Sequence, residues 1–298
     1  MKILFPSEPF ALRIVDSSFK AEYDASKLVG FDSFLFDHDE YVKTSILKTT
    51  LPFREGHPEP IMLRSWMLNE WQYKSFYTAL LAQGYQLING PTQYLNAHHF
   101  PNVYKLIEDN TARAWWTERW TNIEDTDKID WKSVRDYLGG DVIIKDYVKS
   151  EKGNPDLFIL SKELSNQEFY EKILQFIDAR GKLFNAGIVF KQVENLKKYE
   201  GNTNEWRFFL IDGEPLVMEF NGVQGTVTKM PSLPITLECC EIAKKIDSRF
   251  ITIDIAEKED GSWMILEAGD GQVSGMPTET MAIAFYNKLK NDFKFGIE

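Results

Sequence analysis

Two acidic residues near the C-terminal end, Asp254 in FITIDIAEKE and Glu267 in SWMILEA, flank an Asp-Gly pair at Asp260 and Gly261. Asp-Gly between apolar strand residues is a strong hairpin signal. A symmetric loop centred on that pair sets Asp254 directly opposite Glu267. Opposed residues of an antiparallel pair hold their Cβ atoms roughly 4.5 to 5.5 Å apart on one face, where two like charges repel. A hard divalent cation relieves that repulsion, and Mg2+ prefers carboxylate oxygens together with water and substrate phosphates. Asp270, just past the strand in EAGDGQ, is a candidate third oxygen ligand. On the residues alone, three other arrangements stay open: a solvated strand face, a protonated or lysine-paired carboxylate, or a one-residue bulge that turns one side chain away.

Cations supply the other half of the chemistry. Lys145 lies inside the apolar run DVIIKDYVKS, Lys191 ends AGIVFKQ, and Arg207 opens NEWRFFLIDG. A single strand lysine is commonly a solvated or snorkelling side chain. Three cations within apolar strands, in the same half as a paired-carboxylate hairpin, match the needs of a metal-bridged polyphosphate. The chain has no GxxxxGK[ST] and no HRD or DFG set, which excludes P-loop enzymes and protein kinases. The polar loop SEKGNPD after Lys149, with Gly153, reads as a surface turn or as a flap whose backbone N–H groups close over phosphates.

These residues must be positioned by two kinds of layer. The first segment alternates strand and helix signals: MKILFPS, a helix through FKAEYDASKLVG, then FDSFLFD, PIMLRSWML, a helix EWQYKSFYTALLAQG and YQLIN. That order predicts a small parallel α/β layer, although no GxGxxG follows the first strand. Thr92 to Trp116 reads as a polar, aromatic helical stretch, and Asn122 to Asp130 as a charged loop. The predicted boundary lies near residue 120, giving domains 1–120 and 121–298. The second half predicts strands DVIIKDYV and AGIVFKQV around a helix NQEFYEKILQFIDARG, then two Asp-Gly hairpins, hence an antiparallel α+β arrangement.

Composition sets limits on function. With 43% hydrophobic and 14% aromatic residues, the 298-residue chain predicts a folded protein with a real core. A formal charge of −11 disfavours general nucleic-acid binding, which depends on neutralising phosphates with Lys and Arg. The apolar start MKILFPSEPF is too short for a signal-peptide core or a membrane span, so the expected compartment is cytoplasmic, without membrane association. Cys239 and Cys240 are adjacent in a predicted helix, where their side chains point apart, and they read as buried thiols. Oligomeric state is not encoded in any motif.

The combined pattern resembles the ATP-grasp superfamily, and looks closest to the R2K clade. The matching segments are VIIKDYVKS with Lys145 and Lys149, VFKQVENL with Lys191 and Glu194, NEWRFFLIDGEPL with Glu205 and Arg207, and DIAEKEDGSWMILEAGDGQVSGMP. LRSWML with Arg64 and Trp66, and YLNAHHFPNVY with His99, also resemble it. The resemblance implies a Rossmann-like N-terminal pre-ATP-grasp domain and a C-terminal antiparallel ATP-grasp domain. It implies ATP and Mg2+ as cofactors, with Lys145, Lys149, Lys191, Glu194 and Arg207 binding ATP. Lys145 and Arg207 would act on the transferring phosphoryl group, and Asp254, Glu267 and Asp270 would hold the metal. Where many relatives place an asparagine ligand two residues after the glutamate, this chain has Gly269. Arg64, Trp66 and His99 are expected to contact a small-molecule, amino-acid or peptide substrate, Arg64 by forking its carboxylate. The implied activity is an ADP-forming carboxylate-amine ligase working through an acylphosphate. Phosphate transfer to a non-carboxylate acceptor and a non-catalytic nucleotide-binding module are the alternatives.

Overall fold

The computed structural model describes residues 1–119, 126, 128–151, 153–223, 228–276 and 278–293. Chain order in the first layer is β1 (Lys2–Glu8), β2 (Ala11–Val15), α1 (Lys20–Val29), β3 (Asp32–Phe36), α2 (His38–Thr44), β4 (Glu59–Leu63), α3 (Glu70–Ala82) and β5 (Tyr85–Leu87). β3, β1, β4 and β5 run parallel in that order, as the strand–helix alternation predicts, and β2 folds back antiparallel on the end of β1. Helix α1 ends where Gly30 takes the left-handed conformation (φ 94°), a backbone region that costs glycine little. β4 stops at Leu63, earlier than PIMLRSWML suggests. Arg64 still donates its backbone N–H to the Leu4 carbonyl of β1, and Ser65, two residues past the strand end, donates its own to the carbonyl of Gln272.

The stretch read as helical from Thr92 to Trp116 divides into three: α4 (Pro91–His98), α5 (Phe100–Ile107) and β6 (Ala114–Trp116). His99 is extended (φ −89°, ψ 117°) and breaks the helical run, with Pro101 in the first turn of α5, where its missing N–H costs nothing. The aromatic pair Trp115 and Trp116 is strand because it is paired, Trp116 lying opposite Val189. The expected boundary near residue 120 falls outside the described residues.

The remaining elements are α6 (Trp131–Leu138), β7 (Val142–Asp146), β8 (Ile159–Leu160), α7 (Asn166–Arg180), β9 (Ile188–Gln192), β10 (Lys198–Tyr199), β11 (Asn202–Thr203), β12 (Glu205–Ile211), β13 (Glu214–Phe220), α8 (Leu233–Lys245), β14 (Phe250–Glu257), β15 (Trp263–Asp270) and α9 (Glu279–Asp292). They build two four-stranded antiparallel sheets, ordered β6-β9-β7-β8 and β13-β12-β14-β15. Cys239 and Cys240 sit in α8 as free thiols, Cys239 buried. Among the described residues no helix is long and apolar enough to cross a membrane.

The two Asp-Gly turns differ. At Asp212 and Gly213 both residues have positive φ (51° and 80°), the requirement of a tight two-residue hairpin turn. At the second turn only Gly261 does (φ 82°), and the strands meet one residue out of the symmetric register, Glu257 opposite Trp263 and Ile255 opposite Ile265. A bulge then restores the count, so Asp254 faces Glu267 and Ile251 faces Asp270. The bulge expected to separate the acids is what brings them together.

One of four buried clusters among the described residues joins the N-terminal layer to the C-terminal elements. Ile3 and Phe5 of β1, Ala25 of α1, Phe209 and Ile211 of β12, Phe250 of β14 and Phe285 of α9 pack in a single buried cluster. Helix α9 closes back on α1, where Tyr286 donates to Glu22 at 2.8 Å and Lys290 to the Val29 carbonyl at 2.6 Å.

Candidate functional site

Across β13, β12, β14 and β15 the register sets Glu219 opposite Arg207, Arg207 opposite Asp254, and Asp254 opposite Glu267. Charged residues therefore form one row on one face of the sheet. Arg207 forks Asp254 through Nε (2.8 Å) and one Nη (2.6 Å), the bidentate geometry that favours arginine for carboxylates. Its other Nη donates to the Gly275 carbonyl at 2.9 Å, which ties the segment after β15 over the row. Glu219 accepts from Thr278 at 2.7 and 2.8 Å at the start of α9.

The opposing wall comes from β7 and β9. Ile143 pairs with Lys191, which makes Lys145 and Lys191 diagonal neighbours on one face, and both are buried. Each ammonium lies over the Phe100 ring, at 5.5 and 5.6 Å from its centroid. Lys145 reaches across to Glu267 Oε2 at 3.3 Å, and Lys191 donates to the Leu266 carbonyl, in the bulge that aligns the acids. The second sheet thus grips the first at the irregularity that sets Glu267 opposite Asp254. Burial, and then the neighbouring Lys145 charge, push Lys191 down to about 7.

Lys149 is aimed by a buried aspartate. Asp146 accepts the backbone N–H groups of Val148 and Lys149, both at 2.7 Å, and is held by Arg180 Nε at 3.1 Å. Burial raises the Asp146 carboxyl above the usual aspartate range. Lys145, Lys149, Arg207 and Glu267 line one narrow cleft of about 60 Å³, with Phe100 and His98 from the helical connection and Ser274 and Gly275 from the overlying segment. Glu194 stands in the connection after β9, and its charge reaches Lys191. The flap reading of the loop after Lys149 includes Lys152, which lies outside the described residues.

Three expectations change. Asp270 does not join the two acids. It belongs to the alternate face of β15 and is fully buried, bonded by Asn89 Nδ2 at 2.6 Å and by the Gln272 backbone N–H at 2.9 Å; burial raises it to about 7. Arg64 has no fork left for a substrate. It is wholly buried, forks Glu22 (2.5 and 3.1 Å), and donates to the carbonyls of Gly271 and Ser274. His99 and Trp66 are partnered separately. The His99 ring stands edge-on to Tyr147 at 5.6 Å and burial pushes its value down to about 4, whereas Trp66, 44% exposed, packs on Phe19 and donates to Asp16 at 3.2 Å.

Among the described residues no group of three or more His, Cys, Asp or Glu could hold a metal by protein ligands alone. A Cβ at position 269 would sit tightly against Thr252 Oγ1, at 3.2 Å, and in ordinary contact with Ser274 Oγ, at 3.6 Å. Two carboxylates on one face nonetheless fit Mg2+, which commonly binds through one or two carboxylates and completes its shell with water and substrate phosphate oxygens.

Sequence reasoning missed His98, Phe100 and Asp146. His98 and His99 are adjacent, and only the end of α4 between them decides which one enters the cleft. Asp146 left a faint signal, as an aspartate beside Lys145 in an otherwise apolar strand.

Comparison with known proteins follows from this geometry. A family model described as an ATP-grasp domain, R2K clade family 3, matches residues 130–289. Among solved structures, the chain is similar to D-cycloserine synthetase DcsG, with a TM-score of 0.62 and 14% identity over 96% of this chain and 98% of that one. It is similar to the D-alanine-D-alanine ligase from Coxiella burnetii, with a TM-score of 0.60 and 9% identity over 97% and 92%. A third is the ATP-grasp ligase PsnB complexed with a phosphomimetic variant of its minimal precursor, Mg and ADP, with a TM-score of 0.54 and 14% identity over 91% and 88%. At these identities the likeness is one of fold. Comparison with curated proteins returns no match.

Proposed function

We propose that this chain, which belongs to R2K clade family 3 of the ATP-grasp domains, is an ATP-dependent ligase that joins a carboxylate to an amine and releases ADP and phosphate. The observation that carries the reading is one cleft lined by Lys145, Lys149, Arg207 and Glu267, with Asp254 forked by that arginine and directly opposite that glutamate. The solved structures with this fold include a D-alanine-D-alanine ligase and one complexed with a precursor peptide, which favours an amino acid or peptide as substrate here.

A carboxylate is a poor electrophile. Attack of its oxygen on the γ-phosphorus of ATP forms a carboxyl O–P bond and breaks the bond to the β-phosphate bridging oxygen, giving an acylphosphate and ADP. The amine then attacks the acyl carbon, a C–N bond forms, inorganic phosphate departs and the amine gives up a proton. No protein nucleophile is required, and the protein's work is positioning and charge stabilisation. Lys145 pairs with Glu267, and Arg207 with Asp254. Lys145, Lys149, Lys191 and Arg207 would hold phosphate oxygens of the nucleotide, and Asp254 and Glu267 would hold Mg2+. Bound there, Mg2+ would offset charge on the β- and γ-phosphates. Glu194, in the connection after β9 and outside the cleft lining, would contact the nucleotide.

Incubation with ATP, Mg2+ and pooled amino acids and peptides tests the proposal. Release of ADP and phosphate that requires both a carboxylate and an amine is the expected result; a stable phosphorylated product would replace ligation with phosphotransfer. Glu267→Gln should lower turnover by at least about 100-fold, the scale on which single electrostatic contacts to a transition state are lost. Unchanged turnover and unchanged Mg2+-dependent ATP binding in that variant would remove the metal site.

A further inference from the structure

His98 is 8% exposed, and its Nε2 atom is buried with no hydrogen-bond partner among the described residues. Seven other residues contain such atoms, and none of those residues lines the cleft shared by Lys145, Lys149, Arg207 and Glu267. Leaving a buried polar atom unpaired is costly, so its survival at a site of this chemistry calls for a reason.

The ring is held firmly. It packs against Tyr94 at 4.7 Å, tilted by 31°, and Tyr94 stacks on Tyr73 at 3.8 Å and an interplanar angle of 8°. Both tyrosines are anchored through their hydroxyls, Tyr94 to the Leu68 carbonyl and Tyr73 to the Asn89 carbonyl, each at 2.7 Å. The imidazole therefore arrives at the cleft with little rotational freedom left to lose. Burial first, then His99, Lys149 and Lys145, disfavour its charge, and push it down to about 3. A neutral ring carries one N–H and one bare nitrogen. Among lysines that call for an anion, the useful group to present is the N–H.

We propose that His98 is a catalytic residue of the reaction, its neutral Nε2–H donating a hydrogen bond to an oxygen of the γ-phosphoryl group as that group passes to the carboxylate. The inference rests on the ATP-dependent reading above. A neutral donor fixed in place differs from the lysines and arginine around it: it stabilises charge on the moving group without adding a cation that would hold the departing phosphate.

The chain has four histidines, so imidazole nitrogen spectra of protein labelled with 15N-histidine are readily resolved, and loss of one signal in His98→Gln assigns it. Calorimetry with Mg2+·ADP and with Mg2+·AMP-PNP first establishes that each nucleotide binds. The expected result is a shift of the His98 Nε2 signal with Mg2+·AMP-PNP and none with Mg2+·ADP. A shift with both, or with neither although both bind, overturns the assignment. If the wild-type protein binds neither nucleotide, the ATP reading fails and takes this inference with it. In kinetics, His98→Leu should lower kcat by about 100-fold while leaving the affinity for Mg2+·ADP within about twofold, and His98→Gln, which retains an N–H at similar reach, should recover part of that loss. Unaltered kcat in His98→Leu also overturns it; should that variant not fold, the spectrum of the wild-type protein decides alone.

Discussion

Lys191 shows how much a single side chain can cost and supply at once. Its ammonium is enclosed beside Lys145, with its hydrogen bond going to the Leu266 carbonyl, and its value is drawn down to about 7, with burial the larger cause. An unfolded chain keeps that proton up to the ordinary 10.5. Between about 7 and 10.5 the unfolded state therefore binds more protons than the native state, and stability from this group rises with pH across that window. Below about 7 both states are charged and the full penalty of burying the charge applies. In the absence of nucleotide, Lys191→Met is expected to melt higher than wild type at pH 6, by roughly 2–4 °C for each kcal/mol recovered. The advantage should shrink toward pH 10, and Mg2+·ATP affinity should fall by at least about tenfold. Thermal melts across pH and calorimetry check both halves; a lower melting point at pH 6 would contradict the assigned cost. His98 carries the opposite lesson, since its effect comes from being uncharged in the same cationic surroundings.

Elements convert sequence spacing into these contacts, and their irregularities matter as much as their regular parts. The bulge in β15 is a clear case: the turn at Asp260 and Gly261 starts the hairpin out of the expected register, and the extra residue returns Glu267 to its place opposite Asp254. The same extra residue supplies the carbonyl taken by Lys191. The first hairpin is regular at its tip, and Gly213 tests it. A Cβ there would meet Lys244 Cγ at 2.3 Å, and the backbone is left-handed at φ 80°. Gly213→Ala should lower stability by about 1–2 kcal/mol, read by chemical denaturation, while nucleotide affinity stays within about twofold because the row through Arg207 lies farther down the strands. Loss of affinity out of proportion to stability would show that the tip is coupled to the site.

At the scale of the whole molecule, Arg64 is a tie rather than a substrate clamp. Standing just past β4, it joins Glu22 of α1 to the Gly271 and Ser274 carbonyls of the segment that covers the cleft, and Tyr286 of α9 bonds the same glutamate. Removing one member of a buried ion pair strands the other, at a cost of about 3–5 kcal/mol. Arg64→Met is therefore expected to lose stability on that scale in denaturant unfolding, and an undiminished midpoint would refute the tie. The strand–helix alternation of the first layer, the two hairpins and the cations embedded in apolar strands were legible in the amino-acid sequence, because each depends on local spacing, turn chemistry or side-chain type; the facing of Asp254 and Glu267 was reached through a symmetric register that the turn breaks and the bulge restores. Spacing along a strand also puts Asp270 on the face opposite Glu267, yet which face becomes the cleft depends on where Lys145 and Lys191 arrive from another sheet. Arg64 and Gly271 are 207 residues apart in the chain, and no local pattern joins them. Tertiary packing alone chose Glu22 as the partner of Arg64, buried Asp270 against Asn89, and brought His98 rather than His99 to the cleft lined by Lys145 and Arg207, because burial and pairing are set by surfaces that meet only when the chain has folded.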